Sequence, residues 1–81
     1  MTRPEMIKVL FFASLAETVG RDSASLPSDT VTTAADVWRQ LCADLPLPVN
    51  TLVAVNQKNA KFDSAISAGD EVAFFPPVTG G

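Results

Sequence analysis

Residues 7–12 carry a clear two-residue alternation of side-chain character near the start of the chain. All of their odd positions are apolar, whereas Lys8 places a charge among the even positions. This alternation predicts a strand whose odd positions face a core and whose even positions face solvent in part. Leu10 and Phe12 would then lie on the outer face, where two large apolar side chains need an explanation.

The pattern also predicts two helices, a short one over residues 14–19 and the main one over residues 33–45. Each begins with side chains at the spacing of a capping box, Ser14 with Glu17 and Thr33 with Asp36. Gly20 is expected to end the short helix in a left-handed conformation, and Pro46 forbids continuation of the main one. The main helix carries its apolar residues at helical intervals and therefore has one face for a core.

Four further runs, bounded by turn-forming residues, predict strands over residues 22–26, 52–55, 60–62 and 71–75. Five strands and one main helix favour an α+β fold in which the helix packs on one face of a small mixed sheet. The first and last strands are the most hydrophobic, so we expect them to be the central strands of the sheet. If they are neighbours, Leu10 or Phe12 lies near Phe75 on the face away from the helix. This arrangement predicts an exposed apolar patch, unless the short helix or a loop covers it.

Composition narrows the chemistry that the chain can perform. The 81 residues form one small domain with a net charge of −3, and six Lys plus Arg without a cluster argue against nucleic acid as a partner. One cysteine and no histidine exclude an internal disulfide, disfavour a Cys/His metal site and rule out Ser–His or Cys–His catalysis. Cys42 lies beside the apolar stripe of the main helix and is interpreted as a buried structural thiol. Any reactive group is therefore expected to be something other than a side chain.

The N-terminal region allows two interpretations. Residues 6–16 have the basic residue, short apolar run and small residues of a signal peptide, but they are too short to span a bilayer. Glu5 in the would-be basic region counts against a signal, and removing the segment would take the most apolar strand from a small core. We therefore expect a first strand, a loose extension over residues 1–5, and a cytoplasmic protein that does not contact a membrane.

The last six residues, from Pro76 to Gly81, form an unusual chain end. Pro76 and Pro77 stop the preceding strand, because proline cannot donate a ladder hydrogen bond. Fully extended, the tail would reach about 20 Å at roughly 3.3 Å per residue, far enough to enter the active site of another protein. The alternative is a frayed terminus, which is what most chain ends are.

The closing residues 70–81 (DEVAFFPPVTGG) closely resemble those of the MoaD family of sulfur carriers, the small subunits of molybdopterin synthase. Residues 7–13 and 54–57 resemble the same family, so the likeness covers nearly the whole chain from Met6. It implies a ubiquitin-like β-grasp fold over residues 1–81, with residues 76–81 as a functional tail. Asn59 departs from the pattern, since relatives can be apolar at that turn.

The resemblance also implies a mechanism and a set of partners. An E1-like (MoeB-like) enzyme would use ATP to adenylate the carboxylate of Gly81, and sulfur would then displace AMP to leave a thiocarboxylate. The large (MoaE-like) synthase subunit would accept the tail and pass the sulfur to cyclic pyranopterin monophosphate, in a heterotetramer. The small subunit would bind no cofactor and supply no catalytic side chain.

The resemblance assigns each part of the tail and its root a role. Gly81 would hold the sulfur, Gly80 would give access, and Pro76, Pro77, Val78 and Thr79 would form the rest of the tail. Phe75 and Phe12 match apolar positions that such carriers use against the large subunit, and Leu10 lies beside them on the predicted outer face. The alternatives are a thiamine-type sulfur carrier, a protein-modifying ubiquitin-like relative, and a non-covalent β-grasp adaptor whose tail is inert.

Overall fold

The computed structural model describes residues 6–47 and 50–77. Their elements run β1 (Met6–Phe11), α1 (Ser14–Val19), β2 (Ser23–Pro27), a 3-10 turn (Ser28–Thr30), α2 (Ala34–Leu41), β3 (Leu52–Val55), β4 (Lys58–Ala60) and β5 (Glu71–Phe75). The predicted α+β order is confirmed, and α1, β3 and β5 have the predicted bounds. The extension over residues 1–5 and the last four residues of the predicted tail, 78–81, lie outside the described residues.

The five strands form one mixed sheet in the order β2-β1-β5-β3-β4. β1 and β5 are neighbours, and they pair in parallel with Val9 opposite Val72. The other three pairings are antiparallel. β5 therefore lies in the middle of the sheet, and its C-terminal end leads directly into the tail.

The core lies between one sheet face and the buried side of α2. Val9, Val72 and Phe74 are fully buried, so the odd positions of β1 and the even positions of β5 share the core face, as predicted. The ring of Phe74 lies 5.8 Å from that of Phe11 and 5.4 Å from that of Trp38, measured between centroids. Such ring pairs add to the free energy gained from burial alone.

Helix α2 is shorter than the sequence predicted, because it ends at Leu41 rather than at residue 45. Cys42 leaves the helical conformation with φ −131°, and the chain turns back until the Leu45 carbonyl accepts a hydrogen bond from Trp38 Nε1 at 3.0 Å. In a continuous helix these residues would be about 10 Å apart along the axis. The helix therefore ends before Pro46, and the turn that follows it satisfies the indole N–H of the buried Trp38.

The start of α1 corrects a second prediction. The capping box of Ser14 and Glu17 does not form, because the N-cap is Ala13, whose side chain makes no capping hydrogen bond. Ser14 is already inside the helix, where its carbonyl accepts from the Thr18 hydroxyl. Gly20 does end α1 with φ 88°, as predicted.

Strand β4 occupies residues 58–60 instead of the predicted 60–62. Asn56 and Gln57 both have positive φ, at 53° and 68°, which is typical of the tight two-residue turns that join hairpin strands. The strand therefore starts earlier than expected. Phe62 instead stacks on Phe74, and its carbonyl accepts from the backbone N–H of Ala35 at the start of α2.

Candidate docking surface at the root of the tail

The sheet face away from α2 carries a shallow apolar depression of about 560 Å³. Leu10 and Phe12 line it together with Phe75, so the structure brings together the three side chains that the sequence placed on this face. The other lining residues are Ala54, Gln57, Glu71 and Ala73. That Leu10, Phe12 and Phe75 bind a partner stays a prediction. That they lie side by side is a property of the fold.

Strand register explains why these side chains meet. The parallel pairing sets Leu10 of β1 opposite Ala73 of β5, and residues directly opposite one another share a sheet face. On the other side, Ala54 of β3 pairs with Ala73. Both alanines are about nine-tenths buried. Their small side chains form the bottom of the depression, the alanine floor, and the larger side chains surround it.

Leu52 belongs to the same surface and was missed by the sequence analysis. It pairs directly with Phe75 across β3 and β5, yet 42% of its surface is exposed. The alternation of Leu52 with the buried Val53 is the signal that could have found it. We define the outer patch as Leu10, Phe12, Leu52, Phe75 and the alanine floor.

The outer patch is open in the described part of the chain. Phe12 is 48% exposed, and Phe75 is half-buried. Helix α1 does not cover the patch, because its buried side chain, Leu15, belongs to the core cluster. Contiguous exposed apolar surface of this kind marks interaction sites more often than single exposed residues do.

Hydrogen bonds between polar groups fix the end of the patch that lies away from the tail, at the β3–β4 turn. The amide of Asn56 donates from Nδ2 to the Asp70 carboxylate at 3.0 Å and accepts at Oδ1 from the backbone N–H of Glu71, also at 3.0 Å. The backbone N–H of Asn56 donates to the Glu71 carbonyl at 2.7 Å. These bonds fasten the β3–β4 turn to the start of β5. Because the patch stands on paired strands, its shape is largely preformed.

The root of the tail adjoins the outer patch. Phe75 is the last residue of β5, and it leads into a half-buried Pro76 and an exposed Pro77. The backbone N–H of Phe12 donates to the Phe74 carbonyl at 3.1 Å, which joins the patch to the strand that carries the tail. The predicted reactive end, Val78 to Gly81, lies outside the described residues.

Cys42 has the environment of a structural thiol. It is 4% exposed and belongs to the core cluster. Burial raises the pKa of the Cys42 thiol, and the opposing influence of Arg21 is weaker. The thiol therefore stays protonated at neutral pH and is a poor nucleophile. Among residues 6–47 and 50–77 no group of three acidic, histidine or cysteine side chains is placed to hold a metal ion.

The described part of the chain also contains no helix that is long and apolar enough to cross a membrane. The expected cytoplasmic location stays a prediction.

Comparison with known proteins assigns the chain to a family. The model of the ThiS family matches residues 9–81. The chain belongs to the ThiS family. Among its relatives, the molybdopterin synthase sulfur carrier subunit of Escherichia coli (strain K12) is 46% identical, over 94% of this chain and 100% of the relative.

Solved structures of ThiS-like proteins share the architecture. Small archaeal modifier protein 1 (SAMP1) from Haloferax volcanii superposes with a TM-score of 0.75 at 31% identity, over 94% of this chain and 99% of that one. A chain from the complex of subunits 1 and 2 of molybdopterin-converting factor from Helicobacter pylori 26695 has a TM-score of 0.62 at 17% identity, over 94% and 99%. The ubiquitin-like β-grasp fold and the predicted family are thus confirmed.

Proposed function

We propose that this ThiS family member is the sulfur carrier subunit of a molybdopterin synthase. The observation that carries the proposal is the 46% identity along the whole length to a protein of that name. The apolar outer patch directly at the root of a Gly-Gly tail agrees with it. The chain would present its C-terminal carboxylate to two partners in turn, one that activates it and one that receives its sulfur.

The proposed chemistry takes place at Gly81. Its carboxylate attacks the α-phosphorus of ATP on an E1-like enzyme, which forms an acyl-adenylate and releases pyrophosphate. A hydrosulfide equivalent then attacks the acyl carbon, the C–O bond to AMP breaks, and a thiocarboxylate remains. The activation is needed because a carboxylate is a poor electrophile, whereas AMP is a good leaving group. The thiocarboxylate is a soft nucleophile that delivers sulfur to cyclic pyranopterin monophosphate without releasing sulfide.

The large subunit of the synthase is the proposed acceptor of the tail. Support comes from the fold neighbour of Helicobacter pylori, which was solved as a complex of subunits 1 and 2 of its molybdopterin-converting factor. On this chain, Phe12, Leu52 and Phe75 provide the apolar surface that such a partner would cover. A few well-packed side chains near the centre of an interface carry most of the binding free energy in many complexes.

The composition of the tail suits threading into an active site. Gly80 and Gly81 give the narrowest chain and accept any φ that a channel demands. Pro76 and Pro77 reduce the number of conformations that the tail loses when it docks. No side chain of the carrier has to act as an acid or a base, since the partners supply activation and catalysis.

Intact-mass spectrometry tests the proposal directly. The full chain is incubated with an E1-like enzyme, ATP and a sulfur donor, and we expect the mass increase that replacement of one oxygen by one sulfur at Gly81 produces. The matched control omits ATP, and an established carrier is charged in parallel. An unchanged mass in a mixture that charges the established carrier contradicts the proposal and favours a non-covalent adaptor.

A protein-modifying role is the second candidate, and the 31% identity to an archaeal modifier protein favours it. In that case a lysine ε-amine of a target would attack the activated carbonyl carbon of Gly81 and form an isopeptide bond with loss of the leaving group. Peptide mass spectrometry of extract proteins after incubation with the activated chain would find lysines that carry the tail. The carrier role instead predicts molybdopterin when the charged chain, the large subunit and the pyranopterin precursor are combined.

A further inference from the structure

The alanine floor of the outer patch is an unusual choice of residues for the middle of a sheet. Ala73 belongs to β5, which has a partner strand on either side, and it pairs directly with Ala54 of β3. Strand positions usually carry β-branched or aromatic side chains, and an outer face that meets only water usually carries polar ones. Two paired alanines satisfy neither preference, so the needs of the free fold do not account for them.

Larger side chains enclose the alanine floor. Leu10 of β1 lies directly opposite Ala73, and Phe75 follows Ala73 on the same face two residues later. Phe12 and Leu52 complete the rim on the side of the tail. The floor is about nine-tenths buried, whereas Phe12 on the rim is 48% exposed. The centre of the outer patch is therefore a hollow rather than a flat surface.

The floor of the hollow is apolar. β5 pairs with β1 along one edge and with β3 along the other, so the backbone beneath Ala73 is already part of the hydrogen-bonded sheet. The polar lining residues, Gln57 and Glu71, lie at the end next to the β3–β4 turn. A polar side chain placed on the floor would lose its water without gaining a hydrogen-bond partner. An apolar side chain is therefore the occupant that fits.

We propose that Ala54 and Ala73 determine partner specificity, because their small side chains leave a hollow that receives one large aliphatic or aromatic side chain of the large synthase subunit. This inference rests on the proposed function and deepens it. The centres of interfaces pack as densely as protein interiors, so a hollow on one partner requires a protruding side chain on the other. Because the hollow adjoins the root of the tail, filling it aligns the partner with the segment that it must accept.

A merely adhesive apolar surface would behave in the opposite way. Ala73→Leu adds apolar area to the outer patch, so simple adhesion predicts unchanged or tighter binding. If the hollow receives a side chain, the added leucine occupies its place and weakens binding, as overpacking destabilises a core. The sign of the change in affinity therefore distinguishes the two.

The experiment measures the dissociation constant of each full-length variant for the large subunit by titration calorimetry, and its unfolding midpoint by circular dichroism. We expect Ala73→Leu to bind at least about tenfold more weakly than the natural chain. Ala73→Val adds less volume and should lose less affinity. Because the added side chains point away from the core, the unfolding midpoint should not fall.

Two further variants complete the comparison. Ala35→Leu is the matched control, since Ala35 lines a separate apolar groove beside α2 and gains the same side chain there. It should bind as the natural chain does. Ala54→Leu fills the hollow from the neighbouring strand and should weaken binding as Ala73→Leu does. It decides the question if Ala73→Leu folds poorly.

Each outcome supports or overturns the inference. Equal or tighter binding by a folded Ala73→Leu or Ala54→Leu variant overturns it, and so does an equal loss of affinity in Ala35→Leu. Failure of both floor variants to fold also overturns it, since the hollow would then belong to the packing of the fold itself. If the natural chain does not bind the large subunit, the proposed function fails instead, and that result is seen before any variant is compared.

Discussion

Phe12 and Phe74 show how differently two phenylalanines are used in this chain. Phe74 is fully buried among three aromatic rings. Phe12 is 48% exposed on the opposite sheet face. Burying a phenylalanine side chain stabilises by about 1.5–3 kcal/mol, so the exposed part of Phe12 is unused binding free energy in the free protein. A partner that covers the outer patch gains this free energy on binding.

We expect Phe12→Asp to weaken binding of the large subunit by at least about tenfold, since it would bury an unpaired charge only in the complex. The free energy of unfolding should change little, because the side chain is half exposed. Titration calorimetry and thermal unfolding measure the two effects. Leu47→Asp is the matched control, because Leu47 is 38% exposed and lines a groove beside α2. An equal loss of affinity in both variants would show that the outer patch has no special role.

Helix α2 begins with two reciprocal hydrogen bonds. The Thr33 hydroxyl accepts from the Asp36 N–H at 3.3 Å, and the Asp36 carboxylate accepts from the Thr33 N–H at 3.1 Å. The same carboxylate accepts from the Thr32 N–H at 3.0 Å. Backbone bonds from Thr32 and Thr33 hold the pKa of Asp36 below its ordinary value of 3.8. The start of the helix is therefore sensitive to acid.

We predict that the stabilisation by Asp36 is complete above pH 3.8 and disappears as pH falls through the lowered pKa of the folded state. Asp36→Asn should therefore lower the unfolding midpoint at neutral pH, and this difference from the natural chain should shrink below pH 3.8. Circular dichroism at a series of pH values measures it. The control Thr33→Ala should cost about 1 kcal/mol with a much weaker pH dependence, because the backbone bonds that chiefly lower the Asp36 pKa remain. A constant difference for Asp36→Asn would mean that the carboxylate bonds do not govern the helix start.

At the scale of the whole molecule, the core cluster and the proposed reactive end lie in different parts of the sequence. Among residues 6–47 and 50–77, the last member of the buried core cluster is Phe74. The tail begins after Phe75, and the reactive carboxylate proposed for Gly81 is seven residues beyond the last core residue, Phe74. The folded part can therefore act as a rigid handle for the partners, while the proposed chemistry takes place at the end of the chain.

Deletion of Gly81 should abolish thiocarboxylate formation and sulfur transfer but leave the unfolding midpoint unchanged. The truncated chain should still bind the large subunit through the outer patch and inhibit the intact carrier in a molybdopterin assay. The matched control is the same truncation with Phe12→Asp, which should not inhibit. Molybdopterin formation by the truncated chain alone would disprove the role of the carboxylate.

Much of the fold could be predicted from local pattern, because a strand or helix with one buried face repeats its apolar side chains at a fixed period. The buried odd positions of β1 and the bounds of β3 and β5 follow from that period. The meeting of Phe12 with Phe75 was also predicted, on the condition that the two most hydrophobic strands are neighbours, which the pairing of β1 with β5 fulfils. The capping box of Thr33 and Asp36 was predictable because its partners are three residues apart.

What only the tertiary structure decided depends on contacts between distant residues. The Phe12 N–H bonds to the Phe74 carbonyl of β5 and Leu15 packs in the core, and between them Ala13 takes a positive φ instead of the predicted capping box at Ser14. Leu52 joined the outer patch because the register of β3 against β5 set it opposite Phe75. The sequence by itself determined which faces are apolar and identified the Gly-Gly tail, since both are local properties. Which apolar residues surround the root of that tail was decided by strand pairing, because register is a relation between segments far apart in the chain.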